Sequence, residues 1–140
     1  QRVSHDYSGL AMTKGVQYFH PGPLPILCGL TLSTEAYTRE LRRLGVKEAS
    51  AFVVAGKDAT THTFDHPLNG VMCLVTLPKP PKSRYTKIQI YGLLVHEAVH
   101  VWQRIKESMK ETAPSTEFEA YCVQYIAQAF MRGYEELRQQ

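Results

Sequence analysis

Residues 87–109 read KIQIYGLLVHEAVHVWQRIKESM. Apolar side chains recur in this stretch at intervals of three and four, which is the spacing of an amphipathic helix of about six turns. Thr86 and Gln89 stand three residues apart at its start and predict a capping box. The stretch therefore predicts a long helix with one apolar face, made of Ile88, Tyr91, Val95, Ala98 with Val99, Trp102 and Ile105.

The middle of this helix carries the motif His96-Glu97-Ala98-Val99-His100. The spacing places two imidazoles one turn apart on a single face, with a carboxylate beside them. Zinc favours this arrangement because it takes neutral nitrogen ligands at nearly tetrahedral angles. The alternative is a chance match on a surface helix, and the amphipathic context favours a zinc site that uses His96 and His100.

Glu119 is the leading candidate for a third zinc ligand. A second helix is predicted over residues 116–138, and Glu119 projects onto its apolar face, whereas Glu117 lies on a more polar side. A charged group on a core-facing stripe is costly unless it is paired or bound to a metal. The alternative is a capping box between Thr116 and Glu119, in which the carboxylate caps backbone amides.

The sequence resembles the gluzincin metallopeptidases in a minimal single-domain form. The resemblance rests on the motif, which is followed by eighteen residues and then a glutamate. The resemblance implies that His96, His100 and Glu119 bind Zn²⁺ and that Glu97 is the general base. The function it implies is a zinc-dependent peptidase acting on a peptide or protein substrate. Val123 departs from the pattern, because the thermolysin branch of the family has an acidic residue four positions after the third ligand.

A peptidase also needs a donor that stabilises the oxyanion. Four candidates for this role, or for other substrate contacts, are His62, His66, Tyr85 and Tyr121. Each has an ordinary structural alternative, because the histidines flank a predicted strand or turn and the tyrosines can simply pack. The alternative to an enzyme is a catalytically silent zinc-binding regulatory or assembly module. A structural site needs no base, so Glu97 favours catalysis.

Gly92 lies one turn before His96 in the predicted helix. Glycine costs a helix about 1 kcal/mol relative to alanine, so its presence calls for a compensation. One is room beside the metal for a substrate or another backbone. The other is a tight contact between helices, and the sequence leaves both open.

The chain as a whole predicts one α+β domain over residues 1–140. A short helix is expected over residues 33–44, with Gly45 as its stop, and residues 1–31 are expected to be extended or irregular. About three strands are expected to form a small antiparallel sheet packed on the two long helices, with one edge available to an extended substrate. The predicted strands are residues 51–55, 61–64 and 71–77.

The amino-acid composition limits the binding partners and the cellular compartment that are expected. The net charge of +3 comes without a basic run, so no nucleic-acid partner is predicted, and no apolar stretch is long enough for a membrane. The three cysteines form no C-x-x-C pair, which predicts buried or free thiols in a cytoplasmic protein. Cys73 is a disfavoured alternative zinc ligand, as in peptide deformylase, because its surroundings form an apolar strand. The oligomeric state stays open.

Overall fold

A computed structural model describes residues 12–48, 50–66, 70–79 and 84–140. These residues form four strands and three helices. In chain order the elements are β1 (Val16–Phe19), β2 (Ile26–Thr31), α1 (Thr34–Leu44), β3 (Thr60–His66), β4 (Gly70–Thr76), α2 (Lys87–Met109) and α3 (Thr116–Arg138). The α+β class and the two long helices agree with the prediction.

The sheet is mixed and has the strand order β1-β2-β4-β3. β2 runs parallel to β4, while β1 and β3 lie antiparallel to their neighbours. The prediction of about three strands is close to the four observed, but the prediction that all of them are antiparallel was wrong. It missed β1 and β2 because they fall in the segment expected to be irregular. All six residues of β2 are buried, so the strand shows no alternation of polar and apolar side chains.

The strand expected over residues 51–55 is absent from the structure. This segment is a turn in which the Lys57 amide donates to the Val54 carbonyl at 3.0 Å and Gly56 has a φ of 81°. The other two strands are found close to their predicted positions, as β3 and β4. Asn69, the first residue of the turn predicted between them, lies outside the described residues.

Helices cover both faces of the sheet, which explains the burial of β2. The Tyr37 and Leu41 side chains of α1 pack on one face with Leu27, Met72 and Leu74 of the sheet. The other face holds the larger core, where Cys28, Leu30 and Val75 of β2 and β4 meet α2 and α3. Successive residues of the central strands therefore contact different helices.

The predicted ends of two helices are confirmed. Ser33 caps α1 by accepting a hydrogen bond from the Ala36 amide, and Gly45 ends it in the left-handed conformation with a φ of 74°. Thr86 and Gln89 form the predicted capping box at the start of α2. These local signals place both helices correctly along the chain.

The apolar face of α2 is rotated from the predicted one. Ile88 is 83% exposed and Val95 is 39% exposed, although both were assigned to the buried stripe. The rotation leaves the His96 and His100 edge in solvent and turns Glu97 inward. The buried residues of α2 are instead Ile90, Leu94, Glu97, Ala98, Val101, Trp102 and Ile105.

Helix α3 packs against both α2 and the sheet. Tyr91 of α2 donates to Glu135 of α3 at 2.6 Å, and Phe130 makes an edge-on ring contact with Phe19 of β1. A Cβ on Gly133 would lie 3.3 Å from the Gln17 Cβ, so this glycine permits close approach of α3 to β1. None of the described helices has the length and apolar character that a membrane crossing requires.

The rotated face of α2 can be tested with two isoleucines on the same helix. Ile90 is 2% exposed and Ile88 is 83% exposed. Ile90→Ala leaves a cavity in the core and is expected to lower the free energy of unfolding by about 2–5 kcal/mol. Ile88→Ala is the matched control, with an expected change within about 0.5 kcal/mol. Urea denaturation measures both, and equal losses would contradict this orientation of α2.

Candidate functional site

The two histidines of the motif lie on the exposed side of α2 with their rings together. The His96 Nε2 and His100 Nε2 atoms are 3.2 Å apart, and the ring centroids are 4.8 Å apart. The helix alone sets this proximity, because residues four apart lie above one another on one face. Both Nε2 atoms therefore lie where one bound cation can contact the two rings.

Gln103 orients His100 from the next turn of the helix. The His100 Nδ1 atom is 3.0 Å from the Gln103 Oε1 atom. An amide oxygen only accepts hydrogen bonds, so Nδ1 carries the proton and the lone pair of the neutral ring lies on Nε2. That lone pair is on the nitrogen that approaches His96. Gln103 and the two histidines therefore lie on one face of α2.

Glu97 points away from solvent, between α2 and the sheet. The residue is 5% exposed, and its Oε2 atom accepts a hydrogen bond from the Thr61 hydroxyl of β3. A buried carboxylate needs such a partner, because an unpaired charge in the interior is strongly unfavourable. The contact ties the motif helix to the outer strand of the sheet.

A cavity of about 490 Å³ joins the two histidines to Glu97. One of its walls belongs to α2, and the facing residues come from the turn before β3 and the segment before α2. The Asp58 carboxylate and the Arg84 guanidinium connect these two segments, with 3.7 Å between their charged atoms. The lining residues are Lys57, Asp58, Ala59, Tyr85, Gln89, Gly92, Leu93, His96, Glu97 and His100.

Gly92 lies in the wall of this cavity, one turn before His96. A Cβ placed on it would have no atom within 4 Å. A tight contact between helices was one explanation of this glycine, and that explanation is therefore wrong. The space beside the histidine pair, which was the other explanation, is present.

Glu119 is engaged elsewhere. Its Oε2 atom accepts hydrogen bonds from the Trp102 indole at 2.6 Å and from the Lys106 ammonium at 2.9 Å. The hydrogen bond from Trp102, followed by that from Lys106, lowers the pKa of the Glu119 carboxyl. The capping-box alternative is also wrong, because Ser115 caps α3 by accepting from the Phe118 amide.

The gluzincin assignment is wrong. Across residues 12–48, 50–66, 70–79 and 84–140, no three His, Cys, Asp or Glu side chains come together as a metal-binding group. The assignment required Glu119 beside His96 and His100, whereas its carboxylate is bound to Trp102 and Lys106. No family model, curated protein or solved structure matches the chain. The motif spacing alone produced the resemblance.

The four candidate substrate contacts lie in different places. Tyr85 lines the cavity with the histidines and Glu97. Tyr121 is on α3, where it lines a separate apolar groove with Pro23 and Phe118. His62 is buried in the core, and the side chain of His66 lies outside the described residues. Tyr85 is therefore the one of the three described side chains that reaches the cavity.

His62 is part of a polar cluster between β3 and α1. Its Nε2 atom lies 3.1 Å from the Phe52 carbonyl oxygen and 3.0 Å from the Thr76 hydroxyl. Its ring packs against Tyr37 with 4.9 Å between centroids. Burial lowers the pKa of His62, so the native protein favours the neutral ring. These contacts give His62 a structural role.

The cysteines also lie in the core. Cys28 and Cys73 are partners in the register of β2 and β4, and both are completely buried free thiols. Burial raises the pKa of Cys73 to about 11 and that of Cys28 well above its usual value. Cys73 is also absent from the lining of the cavity that contains His96 and His100, so it is not placed to share a metal with them. The prediction of free, buried thiols is confirmed for these two.

Sequence reasoning missed Thr61, Lys57 and Asp58. Thr61 was placed in a strand, but the pairing of that strand next to α2 is a tertiary feature with no local signal. Lys57 and Asp58 follow a segment that was expected to be a strand and is a turn. The composition Ala55-Gly56-Lys57-Asp58 was the available turn signal.

We predict that Glu119 stabilises the fold through Trp102. The residue Trp102 is 1% exposed, so Glu119→Ala leaves its buried indole N–H without this acceptor and lowers the urea midpoint. Glu117→Ala is the matched control, because Glu117 is an exposed neighbour on the same helix turn. Equal midpoints for the two variants would show that the Glu119 contacts contribute nothing.

The lowered pKa of His62 predicts that the free energy of unfolding depends on pH. Below the unfolded-state pKa, about 6.5, the unfolded chain binds a proton that native His62, with its lowered pKa, does not bind. Protonation therefore favours the unfolded chain, and the free energy of unfolding falls as the pH drops from about 6.5 towards the native pKa of His62. Urea denaturation at a series of pH values should show a smaller loss in His62→Gln than in the wild type. Identical pH dependence would contradict the assignment.

Proposed function

We propose that this chain is a metal-dependent hydrolase of peptide bonds, outside the gluzincin family, with His96 and His100 as zinc ligands and Glu97 as the general base. The observation that carries the proposal is the 3.2 Å separation of the two Nε2 atoms in a cavity that Glu97 also lines. The cavity thus combines two nitrogen donors with a carboxylate. Two nitrogen donors and a carboxylate base are part of the set that metal-assisted hydrolysis uses.

The separation of the two Nε2 atoms and the second contact of His100 both fit a zinc site. Zinc–nitrogen bonds of about 2.0–2.1 Å at tetrahedral angles place two nitrogens about 3.3–3.4 Å apart, close to the separation of these Nε2 atoms. Gln103 supplies the outer hydrogen bond that metal-binding histidines usually have on the other ring nitrogen. Gly92 leaves space beside the pair.

The histidines, Glu97 and Tyr85 have different roles in the proposed hydrolysis. A zinc ion held by the histidines would polarise the substrate carbonyl and make an attacking water more acidic. Glu97 accepts the proton of that water and then delivers it to the amine that leaves. Tyr85, which lines the same cavity, is our candidate for donating a hydrogen bond to the developing oxyanion.

The outer strand supports a peptide as the substrate. Among the described strands, β3 pairs with β4 on one side and with no strand on the other, so that edge offers backbone groups for pairing. Thr61 of this strand contacts Glu97, which places the edge beside the cavity. An extended peptide can add to such an edge through main-chain hydrogen bonds.

A second candidate function is the catalytically silent zinc-binding module. The observation that favours it is the presence of two ligands, not three, among the described side chains. Because Glu119 is bound to Trp102 and Lys106, α3 does not complete the set. This module would bind zinc through His96 and His100 and would show no turnover.

Glu97→Gln separates the two functions. For the hydrolase, the zinc-loaded variant should lose about 10²–10⁴-fold in turnover of casein or a mixed fluorogenic peptide library, because the proton acceptor is gone. Its zinc affinity, measured by competition with a chromophoric chelator, should match that of the wild type. 1,10-Phenanthroline should abolish the wild-type activity.

Glu107→Gln is the matched control, because Glu107 is exposed on the same helix and pairs with Arg104. It should keep full activity, and His96→Ala and His100→Ala should lose zinc binding. Turnover by Glu97→Gln at the wild-type rate would refute the mechanism. Zinc binding without any turnover by the wild type would support the silent module.

A further inference from the structure

Thr61 and Glu97 make the contact that joins the sheet to the motif. The two residues are 36 positions apart in the chain, and the Thr61 hydroxyl donates to the Glu97 Oε2 atom. Thr61 is fixed in β3 by its register opposite Val75 of β4. The hydroxyl is therefore held by the sheet, while the carboxylate is held by α2.

The two oxygens of Glu97 have different environments. Oε2 accepts the hydrogen bond from Thr61, and Oε1 is the oxygen that this contact does not use. Because Glu97 lines the cavity with both histidines, we assign Oε1 to the contact with a substrate or water there. A carboxylate held by one oxygen has its second oxygen directed by that anchor.

The neighbours of Thr61 show why its side chain points at α2. Residues of a strand alternate between the two faces of a sheet, so Thr61 and Thr63 face α2 while His62 faces α1. This alternation is observed, since the His62 ring packs against Tyr37 of α1. The hydroxyl of Thr61 thus lies on the side of the sheet where Glu97 accepts its hydrogen bond.

We propose that Thr61 is a positioning residue for Glu97, which holds Oε2 so that Oε1 points into the cavity. The proposal rests on the proposed function, because it assigns Thr61 a part in directing the general base. A threonine hydroxyl donates one hydrogen bond, and valine has the same shape without the donor. Loss of the donor leaves Glu97 buried but no longer held in one orientation. A misplaced catalytic group can cost about a hundredfold in rate.

The experiment compares Thr61→Val, Thr61→Ser and Thr63→Val in the zinc-loaded chain. Thr61→Val is expected to lower kcat about a hundredfold, with KM and zinc affinity unchanged. Thr61→Ser keeps the hydroxyl and should restore kcat towards the wild-type value. Thr63→Val is the matched control on the same face of β3, where the Thr63 hydroxyl lies 3.9 Å from the Cys73 sulfur. It should retain wild-type kcat.

Three results would overturn the assignment of Thr61. These are wild-type kcat in Thr61→Val, a loss carried by KM or by zinc affinity, and an equal loss in Thr63→Val. If Thr61→Val does not fold, as judged by thermal melting, Thr61→Ala is compared with Thr61→Ser on the same criteria. A catalytically dead Glu97→Gln beside a fully active Thr61→Val would refute this inference alone. An active Glu97→Gln would refute the proposed function itself.

Discussion

The packing of α2 against the sheet is the constraint on which the rest of the structure depends. Leu94, Ala98, Val101 and Ile105 are completely buried, and they fix the rotation of the helix about its own axis. That rotation leaves His96 and His100 exposed and turns Glu97 towards β3. The same helix therefore supplies part of the core and one wall of the cavity. The two tasks are compatible because the apolar and polar residues lie on different sides.

The sequence predicted what local rules determine, and missed what tertiary contacts determine. Helix ends at Ser33, Gly45 and Thr86 were correct because capping depends on residues close in the chain. The strand β2 was missed because it is buried on both sides and carries no alternation. The face of α2 was misassigned because isoleucine and valine are apolar wherever they lie. The burial of Ile90 rather than Ile88 depends on the core that α2 shares with α3 and the sheet.

In the candidate site, too, local spacing was predicted correctly and tertiary contacts were not. The proximity of His96 and His100 follows from helix geometry and was predictable from their spacing alone. Glu119 was placed beside them by analogy, on the argument that a charge on an apolar face needs a partner. That argument was sound, but the partners are the Trp102 indole and the Lys106 ammonium. A glutamate facing a helix neighbour can satisfy its charge with any donor there, and spacing does not distinguish a metal from an indole.

The contact between Thr61 and Glu97 has a consequence for how the site responds to partial unfolding. The histidine pair depends on a single helical turn, whereas the orientation of Glu97 depends on a strand 36 residues away. Loosening of β3 from α2 would leave the nitrogen pair intact and release the carboxylate. Under the proposed function, metal binding and proton transfer would therefore depend on different parts of the fold. If β3 opens locally while α2 stays folded, the Glu97 carboxylate loses its anchor and the two histidines keep their spacing.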